Sequence, residues 1–351
     1  MPYLLMLLFL LPLPALAFDY PPVLPDHPLQ FPRDLGSHPA FRTEWWYVTG
    51  QVQTPQGKPL GFQITFFRTS PPLDTRNPSR FTPRQILFAH AALADPQLGK
   101  LLVDEKAARA GFGLAGAAIG HTQAWIDDWR LEQTATGYRA RIPAKGFTLD
   151  LQFAPTQPRL LQGAQGYSRK SPTPGDASYY YSEPQLRVTG AITRQGRTTP
   201  VQGRAWLDHE WSSNYLNKAA SGWDWLGLNL DDGGALMLFR MRRPDGSALW
   251  ASGTFRDKQG RVRVFAPGEV RFKPLAYWTS PRSGIRYPVR WQVAAPGVNL
   301  ELRPLMPDQE LDTRASTGTR YWEGAVEAWR DGQRVGRGYL ELTGYGRRLR
   351  M

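Results

Sequence analysis

The most constraining feature of this 351-residue sequence is a nine-residue segment that occurs twice. Residues 203–211 read GRAWLDHEW, and residues 336–344 read GRGYLELTG. The two segments align without a gap, but His209 of the first falls on Leu342 of the second. A duplicated fold needs the residues that both copies share. We therefore expect two equivalent structural units, with any chemistry among the residues that only one copy has.

The sequence around both copies has the two-residue periodicity of β-strands. Residues 46–54 and 58–68 predict a hairpin, and residues 223–230 and 235–242 predict a similar hairpin with a shorter turn. Further short strands follow in each half, and only residues 105–118, interrupted by glycines, have a helical pattern. Many short strands with regular turns are typical of sandwiches and barrels. The sequence therefore predicts an all-β fold of two tandem antiparallel β-barrels.

The N-terminus has the features of a secretory signal peptide. Residues 1–17 are an apolar run that ends in the small-residue site Ala15-Leu-Ala17, although no Lys or Arg precedes it. We expect cleavage after Ala17 and a periplasmic or secreted protein; a retained anchor is the alternative. The expected organisation is a signal peptide over 1–17, a Pro-rich strap over 18–40, a first β-domain over 41–215 and a second over 216–351.

Composition narrows the classes of function. The chain has no cysteine, which excludes thiol catalysis and thiolate metal sites. It has 43 Lys and Arg against 30 Asp and Glu, a net charge of +13, spread without long runs. An exported protein rarely meets nucleic acid, so we expect no nucleic-acid partner. The charge favours peripheral contact with an anionic membrane surface.

Five segments carry a resemblance to a known family: Phe41–Gly50, Gly61–Arg68, Ala205–Trp211, Trp223–Trp225 and Gly338–Gly344. They resemble the lipocalin-like AttH family, which includes the carotenoid 1,2-hydratases and many "predicted secreted hydrolases". The resemblance covers nearly the whole mature chain. It implies two lipocalin-like barrels in tandem, and it implies components of an ABC-type export system as partners.

Tryptophans are concentrated in these motifs. The functional interpretation is an aromatic cavity, at a barrel mouth or between the barrels, that binds a hydrophobic small molecule or lipid. The alternative is plain barrel packing, because aromatic residues also favour strands and fill cores. The candidate ligand-binding residues are Trp45, Trp46, Trp206, Trp211, Trp223 and Trp225.

His209 is the sharpest single candidate for chemistry. It lies between Asp208 and Glu210 and is absent from the second copy of the repeat. On a regular strand it shares a face with Trp211, and a His-x-Trp pair of this kind lines the cavity in the resembling hydratases. The alternative is a histidine whose ring nitrogens tie the barrel to its linker.

Two further carboxylates are candidates for acid catalysis. Glu44 precedes a run of aromatic residues, where burial would raise its pKa and make it a general acid. The alternative for Glu44 is a salt bridge to Arg42 or Arg68. Asp224 points to the opposite face from the two tryptophans beside it, so either Asp224 or those tryptophans line the cavity.

Motifs for cofactors are absent. His90, His121 and His209 lack the spacing of a metal site, and no nucleophile elbow or Walker loop is present. We expect no metal and no cofactor. A Tyr-x-Asp of the resembling hydratases aligns approximately with residues 238–240, where Arg240 stands in place of the acid. Any acid role then passes to Asp208, Glu210, Asp224 or Glu44.

The function that the sequence favours is binding of an isoprenoid or acyl-lipid ligand, as an accessory to an ABC-type export system. The first alternative is a carotenoid 1,2-hydratase-like hydro-lyase, or a hydrolase, that acts on a lipid-like substrate through His209 and a nearby carboxylate. Such hydration starts by protonating an alkene, which requires a protonated acid in a dry pocket and aromatic faces beside the cation. The second alternative is a structural or interaction module.

Overall fold

The computed structural model describes residues 20–72, 78–79 and 81–349. The signal peptide expected over residues 1–17 lies outside the described residues, so its cleavage stays a prediction. The described part contains 23 β-strands and a single 3-10 turn, Arg33–Leu35. None of its helical structure is long and apolar enough to cross a membrane.

The first half of the chain forms one antiparallel sheet of 13 strands. In space the main path is β4-β3-β2-β1-β13-β12-β9-β8-β7-β6-β5, and β10 and β11 pair with β12. At one end of the path β4 lies against β5, β6 and β8, so the sheet curls into a nearly closed barrel. The strands are β1 (Thr43–Gln53), β2 (Pro59–Thr69), β3 (Ile86–Asp95), β4 (Lys100–Arg109), β5 (Ala115–Ala117), β6 (Gln123–Ile126), β7 (Trp129–Thr134), β8 (Gly137–Ala144), β9 (Phe147–Ala154), β10 (Leu160–Leu161), β11 (Tyr167–Arg169), β12 (Ala177–Arg194) and β13 (Arg197–Asn214).

The second half forms a separate curled sheet of ten antiparallel strands. Its path is β17-β16-β15-β14-β23-β22-β20-β19-β18, and β21 pairs with β22. The strands are β14 (Gly222–Leu230), β15 (Ala235–Arg242), β16 (Ala248–Arg256), β17 (Val262–Phe265), β18 (Arg271–Thr279), β19 (Arg286–Ala295), β20 (Val298–Pro304), β21 (Glu310–Thr313), β22 (Thr319–Arg330) and β23 (Gln333–Leu342).

The two copies of the repeat occupy equivalent places in these sheets. The first copy lies in β13, between β1 and β12. All but the last two residues of the second copy lie in β23, between β14 and β22. Trp46 is paired with His209 in the first sheet, and Asp224 is paired with Leu342 at the matching position of the second. The prediction of an all-β chain with two tandem antiparallel barrel-type sheets is therefore confirmed.

The helix expected over residues 105–118 is wrong. This region contains the second half of β4, then a turn at Gly111 and Gly113, both with positive φ, and then β5. β4 pairs with β3 over its whole length, from Lys100 to Arg109. Hydrogen bonding to an available sheet edge outweighs a weak helical periodicity, because intrinsic propensities are small beside tertiary pairing.

The segment before β1 lies along the first barrel as a strap. Val23 and Leu35 are buried in the core of that barrel, and the Tyr20 hydroxyl donates to the Ser70 carbonyl oxygen at 2.7 Å. Each sheet has its own apolar core. A third apolar cluster, which includes Tyr47 and Trp225, lies between the two sheets and positions the site described next.

Candidate functional site

The candidate residues of β13 are divided between its two faces. Successive side chains of a strand point to opposite sides of the sheet. Trp206, Asp208 and Glu210 therefore face the second sheet, whereas His209 and Trp211 face the interior of the first barrel. The two groups that the sequence placed in one motif thus lie in different surroundings.

A small pocket between the two sheets combines four carboxyl groups with aromatic rings. Its volume is about 50 Å³, and we call it the inner pocket. Three of the candidates proposed on β1 and β13, Trp45, Asp208 and Glu210, line it, together with both tryptophans of β14. Its lining is Trp45, Tyr47, Thr65, Phe67, Asp208, Glu210, Tyr215, Trp223, Trp225, Glu323 and Glu341.

Asp208 is held by three donors. The Tyr180 hydroxyl donates to Oδ2 at 2.7 Å, the Trp206 indole N–H donates to Oδ1 at 2.6 Å, and the Ser182 hydroxyl also donates to Oδ1. Burial raises the pKa of Asp208 to about 7, although these donors oppose the shift.

Glu210 is paired with a buried lysine. Lys170 Nζ lies 2.6 Å from Glu210 Oε1 and 4.5 Å from the centre of the Phe239 ring. Burial raises the pKa of Glu210 and lowers the pKa of Lys170, while their mutual attraction opposes both shifts. This buried ion pair and its ring contact hold the Glu210 side chain, on the wall of the inner pocket, in one position.

Glu323 and Glu341 form a carboxyl pair on adjacent strands. They are direct partners on β22 and β23; Glu323 is buried and Glu341 is half-buried. Burial raises the pKa of Glu341 to about 7; burial and then the charge of Glu341 raise the pKa of Glu323 well above its usual range. Glu341 Oε2 accepts from the Trp223 indole N–H at 3.0 Å, while Glu323 Oε1 has no hydrogen-bond partner among the described residues. Both shifts favour the protonated form of the pair.

A larger cavity adjoins the inner pocket. This outer cavity has a volume of about 340 Å³ and shares Phe67, Tyr215, Trp223 and Glu341 with the inner pocket. Its lining includes exposed residues such as Thr317, so it reaches the surface. A ligand in the outer cavity can therefore extend an apolar end towards the carboxyl groups.

His90, on the wall of the outer cavity, is a neutral histidine. Its Nδ1 lies 2.8 Å from the Tyr321 hydroxyl and its Nε2 lies 2.9 Å from Ser316 Oγ. Burial lowers the pKa of His90 to about 3. His121 is exposed elsewhere on the first barrel, so the three histidines considered from the sequence do not meet.

Glu44 and His209 lie inside the first barrel rather than in the inner pocket. Glu44 Oε1 lies 2.9 Å from His209 Nε2, and Glu44 Oε2 accepts from Arg68 Nε at 2.8 Å. Burial opposes ionisation, but the Arg68 charge and the histidine hydrogen bonds hold the pKa of Glu44 well below its usual range. The expectation of a protonated Glu44 is therefore corrected: it forms the ion pair with Arg68 that the sequence also allowed.

Two of the candidate tryptophans, Trp46 and Trp211, lie against this histidine. Trp46 stacks on the His209 ring at 4.7 Å between centroids, and Trp211 lies at 4.9 Å. The structure thus confirms neither a ligand cavity at His209 nor a role for these two rings in ligand binding; both stay predictions.

Asp224 lies in the interior of the second sheet. Its carboxylate contacts Arg240 at 2.6 Å and Arg242 at 3.1 Å, and it accepts from the Tyr345 hydroxyl at 2.8 Å. Of the two orientations that the sequence allowed, the neighbouring tryptophans face the inner pocket and Asp224 does not. An acid role for Asp224 stays a prediction, and the structure places both of its carboxyl oxygens against arginines rather than in the inner pocket.

The comparisons with known proteins agree with this architecture. The model of the AttH-like family matches residues 22–345. The chain belongs to the AttH-like family. It is 54% identical to the crystal structure of NE1406, a protein assigned to AttH from Nitrosomonas europaea, over 93% of this chain and 99% of that one, with a TM-score of 0.87.

Two more distant structures share the fold of this AttH-like chain. Kievitone hydratase from Nectria haematococca is 15% identical over 86% of this chain and 88% of that one, with a TM-score of 0.64. CghA is 15% identical over the same shares of both chains, with a TM-score of 0.51. At these identities the likeness shows the fold alone. Among curated proteins, none matches this chain.

Sequence reasoning did not propose the two carboxyl groups that the second sheet gives to this AttH-like site, Glu323 and Glu341. Glu341 aligns with Asp208 in the repeat, which was a sign that the shared acidic position faces the other copy. Tyr321 and Glu323 form a Tyr-x-carboxylate pair on β22, a late strand. Lys170 gave no signal, because its contacts come from distant parts of the chain.

Proposed function

We propose that this AttH-like protein binds an apolar, alkene-bearing molecule in the outer cavity and protonates it in the inner pocket. The observation that carries the proposal is the Glu323–Glu341 pair, which lies among aromatic rings beside a cavity that reaches the surface. A carrier needs the cavity but has no use for several buried carboxyl groups. The geometry thus favours proton transfer over carriage alone.

The reaction class is a hydro-lyase reaction that adds water. The protonated carboxyl of Glu323 gives its proton to one alkene carbon, whose π electrons form the new C–H bond. The other carbon becomes a carbocation, which the faces of Trp223 and Trp225 stabilise. Water then adds its oxygen to that carbon, and the released proton passes to an ionised carboxylate such as Glu341 or Asp208. Proton transfer from that carboxyl group to Glu323 then restores the starting state.

Two observations from outside the pocket support this class. One structure with the same fold is a hydratase by name, kievitone hydratase. The sequence resemblance to carotenoid 1,2-hydratases points to the same chemistry on an isoprenoid chain. Export to the periplasm, contact with an anionic membrane surface and an ABC-type partner remain proposals that this site does not test.

The first experiment identifies the ligand. Native mass spectrometry of the protein purified from its host is expected to find one apolar molecule per chain. Leu216, half-buried on the wall of the outer cavity, is the position for a blocking change. Leu216→Arg should fold normally by circular dichroism and lose the bound molecule, and full retention of that molecule would place the ligand elsewhere.

The second experiment tests the chemistry. The extracted molecule, or a set of isoprenoid alkenes, is incubated with the protein in D₂O, and carbon-bound deuterium is measured by mass spectrometry. Glu323→Gln should lower incorporation at least 100-fold, because general acid catalysis contributes roughly 10²–10⁴-fold. Glu132→Gln, a surface change on β7, is the matched control and should keep full activity. Unchanged incorporation in Glu323→Gln would remove this residue from the mechanism.

A further inference from the structure

We propose that His38, Glu44 and His209 bind one divalent transition-metal ion of the zinc type where the strap meets the first barrel. Their ligand atoms all lie within 4.8 Å of one another. Glu44 Oε1 is 2.8 Å from His38 Nδ1 and 2.9 Å from His209 Nε2. This site is separate from the inner pocket, and the proposal does not depend on the function proposed there.

The donor set and its spacing fit such an ion. Two imidazole nitrogens and one carboxylate oxygen are common zinc ligands, and with three protein ligands the fourth position stays open. Ligands about 2.1 Å from a tetrahedral ion are about 3.4 Å apart. To admit an ion, Glu44 Oε1 would have to move roughly half an ångström further from each imidazole nitrogen.

Each ligand is also held from behind, as metal ligands commonly are. His38 Nε2 lies 3.3 Å from Asp34 Oδ1, and His209 Nδ1 lies 3.2 Å from the Tyr181 hydroxyl. Glu44 Oε2 accepts from Arg68 Nε at 2.8 Å and from the Ser37 hydroxyl at 3.0 Å. These contacts hold the outer atoms, and Glu44 Oε1, which also accepts from the His38 backbone N–H at 3.1 Å, faces both His38 Nδ1 and His209 Nε2.

Aromatic rings fix the orientation of both imidazoles. His38 is stacked on Trp211, with 3.7 Å between centroids and 6° between planes, and His209 is stacked on Trp46. The His38 side chain is 15% exposed, while those of Glu44 and His209 are fully buried. An ion can therefore enter beside His38, the partly exposed ligand.

The ion would join three separate segments of the chain. His38 belongs to the strap, Glu44 to β1 and His209 to β13. Leu342 takes the place of His209 in the second copy of the repeat, so only the first barrel can hold the ion. His209 would thus act as a ligand that anchors the strap, since binding to the folded state alone stabilises that state.

The test measures binding of the ion itself. Full-length protein stripped with a chelator is titrated with Zn²⁺ by calorimetry, and Co²⁺ serves as a visible-absorption probe of coordination. We expect one ion per chain, a higher melting temperature with Zn²⁺ and the absorption of low-coordinate Co²⁺. His38→Gln, at the partly exposed ligand, should weaken binding at least 100-fold, and Asp34→Asn about 10–100-fold. His27→Gln, at an exposed histidine of the strap, is the control and should bind Zn²⁺ like the wild type.

Two results would overturn the proposal. The first is the absence of saturable Zn²⁺ binding by folded wild-type protein, which would leave the three side chains as a hydrogen-bonded cluster. The second is one bound ion that His38→Gln and His209→Gln both retain with wild-type affinity, which would place the ion elsewhere. If His209→Gln does not fold, His38→Gln alone decides between these outcomes.

Discussion

At the scale of single residues, the site depends on burial of like charges. Glu323 and Glu341 lie opposite each other between two sheets, where Glu323 is buried and Glu341 is half-buried, so water screens their charges less than at the surface. Two carboxylates so placed cannot both ionise at neutral pH without a large cost in free energy. Asp208 and Glu210 differ, because hydroxyl, indole and ammonium donors surround them. The same pocket thus offers a proton donor and proton acceptors.

Stability should fall as the pH rises through the range in which Glu341 ionises. The pKa of Glu341 is raised to about 7, above the 4.5 of a free glutamate. Between these values the folded state binds more protons than the unfolded state, so the free energy of unfolding decreases as pH rises. Asp208 titrates in the same range. The charged and titratable groups that face Glu341 are Glu323, Asp208, Glu210, Tyr47, Tyr215 and Tyr321.

Urea unfolding of the wild type and Glu341→Gln at pH 5 and pH 7.5 measures this effect. An amide cannot ionise, so the fall in unfolding free energy should be smaller in Glu341→Gln, by at least about 1 kcal/mol. Glu132→Gln should follow the wild type at both pH values. An equal fall in wild type and Glu341→Gln would show that Glu341 ionises normally.

At the scale of elements, the sequence predicted strands better than their faces. The hairpins at residues 46–68 and 223–242 follow from periodicity, since alternation and turn residues are local properties. The residues that pack against each face of a strand come from distant parts of the chain: His209 contacts Glu44, which is 165 residues away in the sequence. Sequence patterns therefore predict the strand that carries the candidates. They do not assign Asp208 to the inter-sheet pocket or His209 to the barrel interior.

β23, which carries the second copy of the repeat, and its neighbour β14 approach closely at glycine positions. A Cβ built on Gly338 of β23 would lie 1.9 Å from the Gly227 carbonyl oxygen of β14. Gly338→Ala must push these two strands apart and should lower stability by about 1–3 kcal/mol, measured as a lower melting temperature. Gly268→Ala, where an added Cβ meets no atom within 4 Å, is the control. Equal melting temperatures for the two variants would contradict this packing.

At the scale of the whole molecule, the site exists because two duplicated sheets are packed face to face. Neither sheet alone has the four carboxyl groups: Asp208 and Glu210 come from the first, and Glu323 and Glu341 from the second. Buried polar contacts fix the relative position of the sheets. Gln51 Nε2 on β1 donates to the carbonyl oxygens of Val326, at 2.8 Å, and Gly338, at 3.1 Å.

Loss of this contact should loosen the sheets from each other. Gln51→Ala leaves two buried carbonyl groups without their donor, which costs about 1–3 kcal/mol. Because both groups belong to the second sheet, calorimetry should show a lower or a split transition. Gln53→Ala removes an exposed glutamine from the same face of β1 and should melt like the wild type. Identical scans for both variants would mean that the sheets are held together by other contacts.

The central claim is that a carboxyl group between the two sheets keeps its proton at neutral pH. Infrared spectroscopy at pH 7 measures this through the C=O stretching band of protonated carboxyl groups, identified by its shift in D₂O. The wild type should show this band, Glu323→Gln should lose intensity in it, and Glu132→Gln should keep it unchanged. Spectra of the wild type and Glu323→Gln that are identical in this band would contradict the claim, because Glu323 would then be ionised and unable to act as an acid.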